Sequence, residues 1–337
     1  MTIRKRVLLT DQKGDSMKRT GIVVLAAAAL IAAGPVAAQD YPNRTIRMVA
    51  PIAAGGMTDV VARIVGAKLS ERLGQPVVIE NRAGAGGSIG TEAVARAAPD
   101  GYTLLFAYPG PIVVNPSLMK SLSYVPERDL TAVSMLGTYP MVLAVHPSVP
   151  AKSVSELVQY VRSKPGQLSY GSAGNASTSH LAMELLRREA GLEMTHVPYK
   201  GAAPAMTDLL AGRIQLVFDS VQLVMPQDQN GKLRALAVSS RDRSPTVDLP
   251  GMAQAGLSNV DVNGWFGIFV PAGTPRPIVD RLSRELSEIV RDPAMVKDLL
   301  SRGIASEGST PEMLAKRVTD EQQMWKKVIT DAGLRVD

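Results

Sequence analysis

The feature that most limits the folds open to this chain is an alternation, from Tyr41 onward, of short apolar runs with amphipathic stretches joined by glycine-rich turns. Strand-length runs followed by helix-length amphipathic segments build α/β layers. Residues 45–51 read as a strand and Gly55-Gly56 as the turn after it. Val61, Ile64, Val65, Leu69 and Leu73 then share one face of a helix, with Thr58 or Asp59 as its cap and Gly74 as its stop. A strand at 77–80, the run Gly84-Ala85-Gly86-Gly87, a helix to about Ala98 and a strand at 102–107 follow. The scheme restarts after Ser153 and Glu156, spaced as a capping box, with strands expected at 168–171, 195–199, 214–219 and 233–239 and a helix at 180–189. Everything after Pro275 reads as helix, the last starting near Pro311.

Two apolar stretches, 139–145 and 265–270, bracket the middle of the chain. At 337 residues the chain is long for a single hydrophobic core, so two α/β lobes are expected. A chain that leaves one lobe, builds a second and returns needs two crossings. This places 41–139 plus 264–337 in lobe 1 and 140–263 in lobe 2.

The net charge of +6 suggests nucleic acid until it is located. Arg4, Lys5, Arg6, Lys13, Lys18 and Arg19, against Asp11 and Asp15, put +4 of it within residues 1–38. The remaining +2 is scattered, so no nucleic-acid partner is expected. The leader itself reads as a secretory signal: Met17-Lys18-Arg19 as the positive start, 22–33 as the apolar centre, and Val36-Ala37-Ala38 as the cleavage site. Met17 is the expected start codon, cleavage is expected after Ala38, and the periplasm is the expected location. A retained anchor is the alternative for the run 21–38, which Gly34-Pro35 disfavours. The chain has no cysteine, which removes a lipid anchor, disulfides, thiolate metal sites and a cysteine nucleophile.

In open α/β sheets a ligand binds beyond the carboxyl ends of the strands. Those junctions are 53–59, 82–90, 108–115, 172–180, 199–204 and 219–222, several of them rich in Gly, Ala, Ser and Thr. Small residues let backbone N–H groups approach a ligand, and a helix N-terminus adds roughly half a positive charge, so an anion can be held without a salt bridge. The candidate contacts are Ala53, Gly55, Gly56, Thr58 and Asp59 in the first junction, and Ser172, Asn175, Ala176, Ser177, Thr178 and His180 in the fourth. Thr58 and Asp59 can equally be simple caps, and His180 can equally bond only backbone. Asp219 is either a partner for an amine or hydroxyl or a loop cap. Lys200 and Arg82 are the only strongly cationic side chains in these loops, so mainly neutral donors are expected to hold an anion.

Enzyme chemistry has little to stand on. The only histidines are His146, His180 and His196, and HExxH does not occur. A hydrolase built on Ser177 and His180 lacks the spacing of a known triad. The run Gly84 to Gly90 reads GxGxxxG, with Ile89 where a dinucleotide fingerprint has its third glycine. No cofactor is expected.

Several motifs resemble one family. They are YPNRTIRMVAPIAAGGMTDVVAR, VVIENRAGAGGSIGTEAVARAAPDGYTLL, NPSLMKSLSY, PAKSVSELVQYVRSKPGQLSYGSAGNASTSHLAMELL, HVPYKGAAPAMTDLLAGRIQLVFD and WFGIFVPAGTP. From about Tyr41 to the C-terminus the chain is similar to the tripartite tricarboxylate transporter substrate-binding receptors, also called Bug-type receptors. The resemblance implies a type II periplasmic-binding-protein fold, with two α/β lobes joined by crossover strands and a ligand cleft between them. It implies that loops 53–59 and 174–180 hold a carboxylate, often through ordered waters, and it adds Tyr199, Ala202 and Asp219 to the site. It further implies delivery of a small carboxylate to integral-membrane permease subunits, and a monomer is the natural form for a hinge-bending receptor. An orphan receptor serving a membrane sensor is the alternative. Ile52-Ala53-Ala54 departs from the family's aromatic and proline before the glycine pair, and Pro250-Gly251-Met252-Ala253-Gln254 departs from its usual Pro-Thr-Val-x-Glu.

Overall fold

The structure is a computed structural model that describes residues 41–174, 177–199, 201–331 and 333. The expected leader, with its start and cleavage site, lies outside the described residues, as do Asn175, Ala176 and Lys200. The strands are β1 (Ile46–Ala50), β2 (Val77–Asn81), β3 (Thr103–Ala107), β4 (Leu130–Val145), β5 (Ser169–Ser172), β6 (Thr195–Pro198), β7 (Leu216–Ser220), β8 (Arg234–Val238), β9 (Asn263–Pro271) and β10 (Ala305–Ser306). Helices of two turns or more are α1 (Met57–Leu73), α2 (Ser88–Ala95), α3 (Val154–Arg162), α4 (Thr178–Glu189), α5 (Ala202–Leu210), α6 (Val221–Gln229), α7 (Arg276–Arg291), α8 (Pro293–Ser301) and α9 (Pro311–Asp331).

The sheet has two halves that share β4. In the first half, β2, β1 and β3 run parallel, and β9 joins β3 antiparallel and pairs in turn with Leu130–Pro140 of β4. In the second half, β6, β5 and β7 run parallel, and β7 pairs antiparallel with Met141–Val145 of β4, whose other edge takes β8. Each half therefore has the same order: second strand, first strand, third strand, a strand arriving from the other half, then one more. The pattern Thr103-Leu104-Leu105-Phe106-Ala107 is buried throughout, as expected for an inner strand covered on both faces. In α7, Ile278, Val279, Leu282, Leu286, Ile289 and Val290 recur at helical spacing and turn one stripe inward.

The register fixes where the strand ends lie. Ser220, at the carboxyl end of β7, sits opposite Met141. Asn263, where the chain returns at the start of β9, sits opposite Pro140. β3 runs antiparallel to β9, so its carboxyl end points the same way, and β1 and β2 follow it. The carboxyl ends of both sets of parallel strands thus converge on the seam at Pro140 and Met141.

Two expectations change. The first crossing begins at Leu130, nine residues before the expected 139. Register shifts between Ala132 and Ser134 and between Met135 and Gly137 break the two-residue alternation that would have marked it as strand. The region after Pro275 is not all helix, because Ala305 and Ser306 pair with Thr138 and Gly137 of β4.

Candidate functional site

The junction after β1 is shaped by Asp59. Helix α1 starts at Met57 with Gly56 as N-cap and no side-chain cap, so neither Thr58 nor Asp59 is the cap that the pattern suggested. Asp59 instead folds back from the first turn. Its Oδ2 accepts from the Gly55 N–H at 2.9 Å and from Arg63 Nε at 3.0 Å, and its Oδ1 accepts from Asn81 Nδ2 at 2.9 Å. The carboxylate is 4% exposed. The Arg63 guanidinium, then the Gly55 and Asn81 donors, hold its pKa down at about 2. Ala53, Gly55 and Gly56 are exposed, and Thr58 is half-buried with no hydrogen bond from its hydroxyl among the described residues. The uncapped first turn leaves backbone donors for an outside acceptor.

The junction after β5 has the same plan with more side-chain support. Helix α4 starts at Thr178 with Ser177 as N-cap, its Oγ accepting from the His180 N–H at 3.3 Å. Ser177 also donates to Gly174 O at 2.8 Å and meets Ser179 Oγ at 3.0 Å, while Ser179 Oγ accepts from the Ala173 N–H at 3.0 Å. Ser172 is 2% exposed and bonds Gly174 twice, accepting from its N–H at 3.2 Å and donating to its O at 3.0 Å. Gly174, with φ 136°, holds a conformation nearly reserved for glycine. Thr178, like Thr58, lies in the first turn of its helix, half-buried, with no hydrogen bond from its hydroxyl among the described residues.

His180 is 3% exposed, and its ring stacks on that of His196 at 3.8 Å. Burial, and then His196, push its pKa down to about 4. Its ring stacks on another histidine, and its backbone N–H donates to the Ser177 hydroxyl. Tyr199 donates its hydroxyl to Asp208 Oδ2 at 2.7 Å, while its N–H donates to Ser172 O at 3.1 Å. Burial, then Asp208, raises the phenol to about 12. Ala202 opens α5, whose N-cap is Gly201, again without a side-chain cap.

Asp219 is 8% exposed at the end of β7, opposite Val142 of the crossing strand. Its Oδ1 accepts from the Ser220 N–H at 2.7 Å, and burial raises its pKa to about 6.

Sequence reasoning missed two tyrosines at the seam. The Tyr108 hydroxyl lies 3.4 Å from Pro51 O and 3.3 Å from Gly86 O, joining the ends of β1, β2 and β3. Burial raises its pKa to about 12. The Tyr139 ring packs on Phe266 at 4.9 Å and covers Gly264 so closely that a Cβ there would collide with it. Tyr108 fell inside a strand-end junction and Tyr139 opened the expected crossing 139–145, but neither was marked as a site residue. Among the described residues no cluster of His, Asp and Glu is arranged to hold a metal ion.

Two sheet halves of equal order, a shared crossing strand and small-residue loops at the seam are the architecture of the type II periplasmic-binding-protein class. The family model for the "Tripartite tricarboxylate transporter family receptor" matches residues 61–334, and the chain belongs to that family. It is 38% identical over 308 residues to BugT of Bordetella pertussis, covering 90% of this chain and 94% of BugT. Among solved structures, an R. palustris protein with adipate is 36% identical with a TM-score of 0.76, covering 88% of this chain and 99% of that one. MatC from Rhodopseudomonas palustris with bound malate is 35% identical with a TM-score of 0.72, covering 86% and 100%.

Proposed function

We propose that this chain is an exported receptor that captures a small aliphatic carboxylate at the seam and delivers it to a tripartite tricarboxylate-type permease in the membrane. The observation that carries the reading is the matched pair of helix starts. α1 and α4 each begin at a strand end on the seam, each led by small residues, and each offers a first-turn threonine hydroxyl without a partner among the described residues. Two such donor sets, one from each half, suit the oxygens of one anion. The solved relatives with adipate and malate support a carboxylate as the ligand.

Within this reading Gly56, Thr58 and Thr178 donate to the ligand, with Ala53, Gly55, Ala202, Asn175 and Ala176 lining the approach. Asp59, Ser172, Ser177 and His180 hold the loops from behind. Tyr199 contributes through its backbone, and Asp219 lies at the inner end of the site. Residues 41–139 plus 264–337 and residues 140–263 act as two lobes, hinged where β4 and β9 cross. The ligand favours the closed state because only that state presents both donor sets. The protein works as a monomer in the periplasm after cleavage following Ala38, without a cofactor.

A thermal-shift screen tests this reading. Adipate, malate and larger carboxylates are compared with their uncharged amides on the purified protein. A ligand at 100 times its Kd adds about 2.7 kcal/mol to stability, so a saturable rise with a carboxylate and none with its amide is expected. Equal responses to acid and amide would overturn the anion site.

A further inference from the structure

We propose that His196 is a positioning residue for the second-half ligand loop, acting through Ser172 on Gly174; the inference rests on the receptor function proposed above. His196 lies on β6, the edge strand of its half, and was not among the residues that the sequence marked.

The Ser172 hydroxyl has one proton and two lone pairs. Its proton goes to Gly174 O at 3.0 Å, and one lone pair takes the Gly174 N–H at 3.2 Å. The remaining lone pair faces His196 Nε2 at 2.7 Å, a contact in which Nε2 carries the proton when the hydroxyl proton is on Gly174 O. With all three positions filled, Ser172 has no capacity left for a ligand and a single orientation of its own. It clamps both polar backbone atoms of Gly174, the residue whose φ of 136° turns the chain toward the helix start.

His196 is held in turn by two neighbouring rings. Its ring lies 3.8 Å from His180 at 7° and 4.9 Å from Tyr170 at 19°. These three residues come from α4, β6 and β5, the elements that flank the loop. Glu184 and Arg187 of α4 bond each other, and Tyr170 donates to Glu184, so the charges nearest the stack are internally paired. Burial pushes the pKa of both histidines down, so the stack stays neutral at physiological pH. A neutral, stacked imidazole beside a fully partnered hydroxyl is a fixed support, suited to setting the aim of the helix start at Ser177 and Thr178.

The test compares His196→Met, which keeps bulk and loses the polar contact, with His196→Gln, whose amide reaches Ser172 Oγ. Isothermal titration with adipate and malate reads affinity, and hydrogen exchange reads the Gly174 amide. The expected result is about tenfold weaker binding and faster Gly174 exchange in the Met variant. Both should return close to wild type in the Gln variant, which a merely structural role would not produce. Unchanged affinity and exchange in the Met variant, or equal damage in both variants, would overturn the proposal. If wild type binds neither acid, the carboxylate reading fails for these probes, and the Gly174 exchange pattern still decides the His196 clamp by itself.

Discussion

At Asp59, both oxygens are occupied by groups that shape the loop after β1. Its depressed pKa means that the ionised carboxylate stabilises the fold. That contribution is complete above the ordinary value of 3.8 and is lost as pH falls through about 2. Asp59→Asn is therefore expected to lower stability by about 1–3 kcal/mol at neutral pH, toward the low end because Arg63 is half-exposed and screened. Urea melts of the variant should also lose part of the acid-side decline between pH 4 and 2. Asp219 has the opposite sign. Its pKa is raised to about 6 by burial, so its ionised form destabilises the fold above that pH, and the penalty fades below the ordinary 3.8. Asp219→Asn should melt higher than wild type at pH 7–8, with the gap closing toward pH 4. A variant that melts lower at pH 8 would show that the ionised carboxylate is stabilised in a way its burial does not reveal. Neither role was legible in the sequence. Asp59 looked like a cap because Asp favours the start of an apolar-periodic run, but its Oδ1 is held by a donor, Asn81, on another strand. The Ser172–His196 contact joins residues 24 apart in sequence, and no local pattern encodes it.

The elements were more legible than their contacts. Gly74 closes α1 in the left-handed conformation, and Ser153 caps α3 by accepting from the Glu156 N–H, as local chemistry dictates. The second half of that capping box is displaced, since Glu156 accepts from the Lys152 N–H and not from Ser153. The early part of β4 was hidden by its bulges, and β10 by its length of two residues. Two glycines carry element-scale predictions. Gly174→Ala forces a side chain into a φ of 136° and brings a Cβ to 3.2 Å from Tyr199 O. It should cost about 1–3 kcal/mol in denaturant melts and also weaken ligand binding, because the strain falls on the ligand loop. Gly264→Ala pushes a methyl into the Tyr139 ring where β4 and β9 cross. A cost of about 1–3 kcal/mol is expected. A double-mutant cycle with Tyr139→Ala should recover part of it, and strictly additive losses would rule out the contact as the cause.

At the scale of the whole molecule, the repeated order of the two halves places six parallel strand ends at one seam. The sequence showed which loops follow those strands, and they are the loops that the register brings to the seam. What it could not show was the division of labour within each loop, because that depends on which hydroxyls are already saturated. Ser172 and Thr178 are equally polar in the sequence, yet one is filled by protein and the other has no partner among the described residues. In the proposed receptor Thr58 and Thr178, from opposite halves, hold the same carboxylate. Isothermal titration of Thr58→Val, Thr178→Val and the double variant with adipate and malate tests it most directly. A hydrogen bond to a charged ligand contributes about 1.5–3 kcal/mol, so each single change should weaken binding about tenfold or more. The double variant should lose at least the product of the two, with the ligand-free melting temperature nearly unchanged. If wild type binds and either single variant binds as tightly, the carboxylate is not shared between the two helix starts and the account is wrong.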